Sequence, residues 1–317
     1  MIKQRNIGVD ILKFMAVVLV LNSHFDSIYP GPLDKLATGG TIADGLFFMC
    51  SGFTMLLGGG NSLLNYYKKR IYRIYPSVIA WGIVGIVLFN REDSVLSLTS
   101  GGWFVNCIMV YYLPIFLIRR FCPDKTKICL IVYTLFIAVV YFVHERPGNY
   151  DLLNDKSLKN LFFFITMLLG AYLGKYHQFT KGKMTDVAWL TVSFVSFFGF
   201  VFLRKYFVDI QLLSILSLVG VCYYGYKVCN IEKVITFCSK RYIYWVIRFV
   251  GGLCLEVYLI NLTIIHGNSV SSFPLSLFIV LLEIIILAYG VRCLSRFLIQ
   301  TFSKDEYRWK EVFQLII

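Results

Sequence analysis

Apolar residues run along this chain in long blocks separated by short polar connections. Ten blocks stand out, at 7–28, 41–60, 71–89, 102–118, 128–144, 158–176, 187–203, 209–229, 243–265 and 275–298. A helix needs ~20 mostly apolar residues to cross ~30 Å of hydrocarbon, and most blocks supply about that. Barrel strands would be ~10 residues long with alternating polarity, which these blocks lack. A helix satisfies its own backbone in lipid, where no water can. The pattern predicts an all-α chain, a polytopic membrane helix bundle of about ten transmembrane helices. No repeat, low-complexity tract or soluble appendage interrupts it, so residues 1–317 read as a single transmembrane domain.

Composition agrees. The residues are 58% hydrophobic, 17% aromatic and only 15% charged, whereas soluble domains are roughly a quarter charged. The net charge of +13 admits two origins, attraction to a polyanion or membrane topology. With the N-terminus in the cytoplasm, 22 of the 31 Lys and Arg fall inside and 7 outside, with Lys13 and Arg248 within spans. That bias is the positive-inside pattern, with both termini cytoplasmic. Most of the basicity is then topological, and no nucleic-acid partner is implied. The nine cysteines are scattered without CxxC spacing, which predicts free thiols and no metal site. The N-terminus has the basic-then-apolar order of a signal peptide. NSHFDSIYPGP follows it in place of a small-x-small cleavage site, so it reads as a retained first helix.

Charge within the first block changes the picture. Asp10, Lys13 and His24 interrupt an otherwise lipid-compatible run. Lys13 and His24 are eleven residues apart, which in a helix places them on nearly one face and ~16 Å apart along the axis. Asp10 lies close to that face, one turn below Lys13. Such a stripe faces a bundle interior or cavity and marks a path or a site. Asp10 and Lys13 equally suit an interfacial pair with a snorkelling lysine. Histidine is suited to taking and returning a proton near neutrality. Glu256 and Glu283 within the last two blocks, with Arg248 below, need partners or protonation, and a structural network there is as good an account as function.

Five segments carry a resemblance. Asp10-Ile11-Leu12-Lys13, ten residues and then His24 resemble the first helix of the acyltransferase 3 family, D-x-L-R followed ten residues later by His. Lys13 keeps the charge of that arginine without its planar fork. GLFFMCSGFTML, residues 45–56, is similar to the family's FF-x-x-SGF, through Phe47, Phe48, Ser51, Gly52 and Phe53; Ser51-Gly52 also permits close helix approach. NYYKKRIYRIYP, residues 65–76, resembles its basic run R-x-x-R-x-x-P, through Arg70, Arg73 and Pro76. GGWFVNCIMVYYLP, residues 101–114, resembles a segment opening on tryptophan, with Trp103, Tyr111, Tyr112 and Pro114 matching and Asn106 one turn deeper. Trp103 equally suits an aromatic belt at the outer boundary. LEVYLINLTIIH, residues 255–266, matches through Glu256 to Ile260, with Asn261 where the family commonly has histidine. His266 lies about 140° further round the helix and is no simple replacement.

The resemblance implies an acyl-CoA-dependent O-acyltransferase of the bacterial inner (plasma) membrane. It would move an acyl group, acetyl by default, to a hydroxyl of an envelope or surface glycan or lipid-linked sugar. His24 would be the catalytic base or a transient acyl carrier. Lys13, Lys69, Arg70 and Arg73 would hold the phosphates of acyl-CoA, the donor. Asp10, Ser51, Trp103, Asn106, Glu256, Tyr258 and Asn261 would contact or support substrate. Membrane lipid is the remaining partner, and no metal is implied. The rival class is a transporter or exporter of a glycan or small anion, since intramembrane charges also mark translocation paths.

Overall fold

The computed structural model describes residues 5–57, 62–90, 101–143, 156–267, 273–302 and 306–315. Among these, regular structure is helical. The α-helices are α1 (Ile7–Ser23), α2 (Gly40–Gly52), α3 (Leu63–Phe89), α4 (Gly102–Phe121), α5 (Thr126–Val143), α6 (Lys156–Tyr176) and α7 (Thr185–Leu203). They continue with α8 (Gln211–Cys229), α9 (Glu232–Cys238), α10 (Arg241–Gly252), α11 (Cys254–Gly267), α12 (Leu275–Thr301) and α13 (Trp309–Val312). The caps follow local chemistry. Ser62 Oγ accepts the Asn65 N–H at 3.3 Å to open α3, and Asn90 closes it in the left-handed conformation, φ 48°. Gly101 and Gly102, at φ 60° and 76°, turn the chain into α4 where a side chain would be strained.

Among the described residues, six helices are long and apolar enough to cross a membrane, and seven if α10 and α11 count as one broken span. The sequence predicted ten. The difference lies in α1, α2 and α6. The first two have only 17 and 13 residues; α6 has 21, long enough to cross, with Lys159 alone among the charges between Ser157 and Gly174. The predicted ninth span is also not one helix. α10 and α11 meet at an angle of 68°, at the weak helix formers Gly251-Gly252.

The chain folds into two compact units. The first comprises Met1–Lys13, Thr41–Gly60 and Leu113–Tyr244. Its centre is the α2–α6 contact. Gly52 lies against the Met167 carbonyl, Gly170 against that of Met49, and Gly174 against that of Phe53, each too close for any Cβ. Ten of the 13 residues of α2 are buried. α7 and α8 pack as a hairpin, pinned at one end by Lys227 to Asp186 at 2.6 Å and by the Lys183 N–H to Asp186 at 2.7 Å.

The second unit comprises Phe14–Gly40, Asn61–Tyr112 and Trp245–Ile317. Here α3, α11 and α12 pack on one another, and the 3-10 turn Phe25–Ser27 packs on α11.

Candidate active site

The second unit holds His24, Lys69, Arg70, Arg73, Trp103, Asn106, Glu256, Tyr258 and Asn261; the first holds Asp10, Lys13 and Ser51. α1 ends at Ser23. His24, at φ −106° and ψ 1°, is the first residue off the helix and leads into the 3-10 turn. A face extrapolated from Lys13 at 100° per residue therefore overruns α1 by one residue. The His24 N–H still donates to the Leu21 carbonyl at 3.1 Å. The chain beyond His24 is tied down. Tyr29 donates to Asn22 Oδ1 at 2.7 Å, and Asn22 Nδ2 donates to the Leu36 and Thr38 carbonyls at 2.8 and 3.0 Å. His24 is thus half-buried on a braced turn against α11. His266 is turned onto its own helix, its Nδ1 2.8 Å from the Leu262 carbonyl. In the first unit, His177 bonds Thr180 and Tyr172 at 3.2 and 3.1 Å.

The first turns of α3 build a cation site. Tyr66, Arg70 and Arg73 recur at i, i+4 and i+7, so they share a face. The Arg70 guanidinium lies 4.8 Å from the ring centre of Tyr66 and 5.7 Å from that of Tyr112. These two rings, both buried, meet edge to face at 6.2 Å. Tyr67 donates to the Met109 carbonyl at 3.0 Å and fixes α3 on α4. Arg70 Nε is buried without a hydrogen-bond partner among the described residues. Lys69 and Arg73 beside it are exposed. The side chain is held by packing, and its donors face no acid among the described residues.

Glu256 is only 3% exposed. Its partner is Arg292, at 2.7 Å, and not Arg248 or Glu283. Arg292 Nη2 also donates to the Gly252 carbonyl, so one guanidinium closes the break between α10 and α11. Ser77 donates to Glu256 Oε1 at 2.8 Å and lies 3.2 Å from Ser295 Oγ, joining α3 and α12. Desolvating two charges is offset only when such extra bonds satisfy them. By sequence, Arg292 counts only among the inner-side charges. Two arginines inside the last apolar block, Arg292 and Arg296, opposite an acid in the block before, were the available signal. Ser77 and Ser295 carried none.

Tyr258 reaches α4. Its hydroxyl accepts the Phe104 N–H at 3.3 Å, its ring packs on Phe104 at 5.0 Å, and it lies beside Gly102. Trp103 is half-buried, edge-on to Phe104 at 6.2 Å, and Asn106 is exposed. Asn261, one turn beyond Tyr258, is 1% exposed, and neither Nδ2 nor Oδ1 has a partner among the described residues. Leaving such a group unpaired costs ~1–3 kcal/mol.

In the first unit Asp10 is likewise buried. It accepts from Arg5 Nε and Nη2 at 2.6 and 3.0 Å and lies 3.3 Å from the Tyr244 hydroxyl. Arg5, outside the apolar block, is held more firmly protonated, chiefly by this bond. The pairing of Asp10 is therefore with Arg5; Lys13 is half-buried on the same helix. Ser51 is half-buried on α2 beside the Gly52 contact.

These residues offer a braced histidine, a preorganised cation and a buried empty amide within one unit. Such an arrangement suits an anionic donor and a proton transfer. No curated protein and no solved structure matches the chain. A family described as an acyltransferase domain matches residues 6–294, which include every site residue predicted from the sequence. The chain belongs to that family, acyltransferase 3, and is a membrane-bound transferase of acyl groups.

Proposed function

We propose that this acyltransferase moves an acyl group, acetyl by default, from cytoplasmic acyl-CoA to a hydroxyl of an envelope glycan or lipid-linked sugar. The observation that carries this is Arg70, held over the rings of Tyr66 and Tyr112 with no acid paired to it among the described residues. CoA brings phosphates, and arginine is the side chain best fitted to bind them. Lys69 and Arg73 add charge around it, and Lys13 is a further candidate. His24 takes the proton of the acceptor hydroxyl. The hydroxyl oxygen attacks the thioester carbonyl carbon, the carbon–sulfur bond breaks, and the CoA thiolate takes up a proton. A two-step route through acyl-His24 or acyl-Ser51 gives the same products.

On this reading the chain is one domain over residues 1–317. It crosses a bacterial inner membrane ten times with both termini cytoplasmic. The seven spans are joined by α1, α2 and α6, the first two of which can be short because they pack on protein. The test uses purified protein in proteoliposomes with radiolabelled acetyl-CoA. Wild type releases CoA or retains label; His24→Ala does neither while staying folded. Normal acylation by His24→Ala removes the histidine from the mechanism.

A second reading, export of a glycan or small anion, is favoured by one observation. The α10–α11 break with its buried Glu256–Arg292 pair is the kind of discontinuous helix that transporters use. Absence of CoA binding by wild type shifts the balance to export.

A further inference from the structure

The carboxamide of Asn261 is fully buried, and both its donor and its acceptor are empty among the described residues. A core amide is ordinarily paired, because leaving it unmade is expensive. Its surroundings offer no obvious substitute. Val257, Ile260 and Ile265 around it on α11 are buried and apolar. At i+3 from Tyr258, Asn261 lies on the side of α11 that meets the start of α4.

We infer that Asn261 is a binding residue for a secondary amide of the donor, the one nearer the thiol in the pantetheine arm of CoA. This rests on the CoA reading above. A carbonyl ligand would satisfy only Nδ2, and a single hydroxyl only one side at a time. Another amide offers a C=O and an N–H side by side and fills both, as paired carboxamides do. Pantetheine carries two such groups in an otherwise mostly apolar chain, which suits apolar surroundings containing one amide.

The spacing also fits. Arg70 lies over Tyr112, and Tyr258 bonds at Phe104. These docking points are eight residues apart on α4, or ~12 Å at 1.5 Å per residue. Asn261 lies one turn beyond Tyr258. The amide nearer the thiol lies roughly nine backbone bonds along the arm, equal to about three extended residues or ~10 Å. A donor whose phosphates meet Arg70 thus brings that amide towards the start of α4, where Tyr258 docks and Asn261 follows one turn on. The family's usual histidine could offer one ring nitrogen as donor and the other as acceptor, but not the parallel pair of a carboxamide.

The test compares two probes on full-length protein in detergent: CoA, and 3′-phosphoadenosine 5′-diphosphate, which is its head without the arm. Wild type should bind CoA more tightly than the head. Asn261→Leu, the same in heavy-atom count and branching, should weaken CoA ~10-fold and leave the head unchanged, which also reports that the variant is folded. Arg70→Gln should weaken both. Equal weakening of both probes by Asn261→Leu would make Asn261 a packing residue and overturn the inference. So would unchanged affinity for CoA, which would mean that water fills the amide. If wild type binds neither probe, the CoA reading itself fails and takes this inference with it.

Discussion

At position 70 a lysine would keep the charge and lose the planar guanidinium. The Arg70 guanidinium lies over the rings of Tyr66 and Tyr112 at 4.8 and 5.7 Å from their centres, where a cation gains ~0.5–2 kcal/mol and an ammonium packs less well than a guanidinium. Lys69, on the same turn, is exposed, and exposed charges are screened within ~8 Å at physiological salt. Arg70→Lys should therefore weaken CoA binding about tenfold at ~0.15 M salt, and Lys69→Gln less than twofold, by direct titration. The reverse order would mean that the exposed charges hold the donor and the contact with the rings is only packing. The basic cluster was legible in the sequence because four cations within six residues stand out in so apolar a chain. Its geometry was not, since Tyr112 comes from another helix. Asp10 shows the same limit. The acid was visible, but its partner Arg5 precedes the helix and lies outside any face that helical spacing can trace.

Helices made of the same apolar residues differ in what they touch, and glycine shows where. Gly52, Gly170 and Gly174 bring α2 and α6 into backbone contact, as small residues do between helices in lipid. Gly199 on α7 has nothing within 4 Å of the position a Cβ would take. Gly170→Val should then abolish a monodisperse peak in detergent chromatography, because the Met49 backbone cannot yield as a side chain would. Gly199→Ala should leave the melting temperature unchanged or slightly raised. A stable Gly170→Val would show that α2 and α6 can separate without unfolding. The sequence pointed to Ser51-Gly52 as a close approach, and the structure places it there. It did not point to Gly170 and Gly174, which are ordinary small residues within an apolar block. Nor did it reveal the α10–α11 break, because apolarity runs across residues 243–265 and hydropathy does not sense direction. Only the adjacent Gly251 and Gly252 hinted at it, and Arg292, from the next helix, completes it.

For the whole molecule, the open question is how seven apolar spans become ten. Hydropathy measures what faces lipid, and the six single-helix spans have only 11 to 44% of their most apolar windows buried. α2 is the opposite case, with ten of 13 residues buried. In α6 the stretch Phe162–Ala171 is buried throughout. A helix that packs on protein needs less apolar surface to reside in a membrane, and charges such as Lys159 beside Asp44, at 3.9 Å, meet protein partners there. Crossing by α1, α2 and α6 fixes the sides of the exposed lysines between helices. Single cysteines at Lys35 and Lys205 should react with an impermeant thiol reagent added outside intact cells. Cysteines at Lys69, Lys125 and Lys181 should react only after the cells are opened, each read against the wild-type background from its nine cysteines. The pairs separate the helices. Lys35 and Lys69 flank α2, so labelling of both from one side means that α2 does not cross. Lys125 and Lys181 flank α5 and α6 together, so labelling from opposite sides means that α5 crosses and α6 does not. Either result would break the alternation on which the positive-inside count rests. It would also remove the argument that the basic turn at Lys69–Arg73 faces the compartment that holds acyl-CoA.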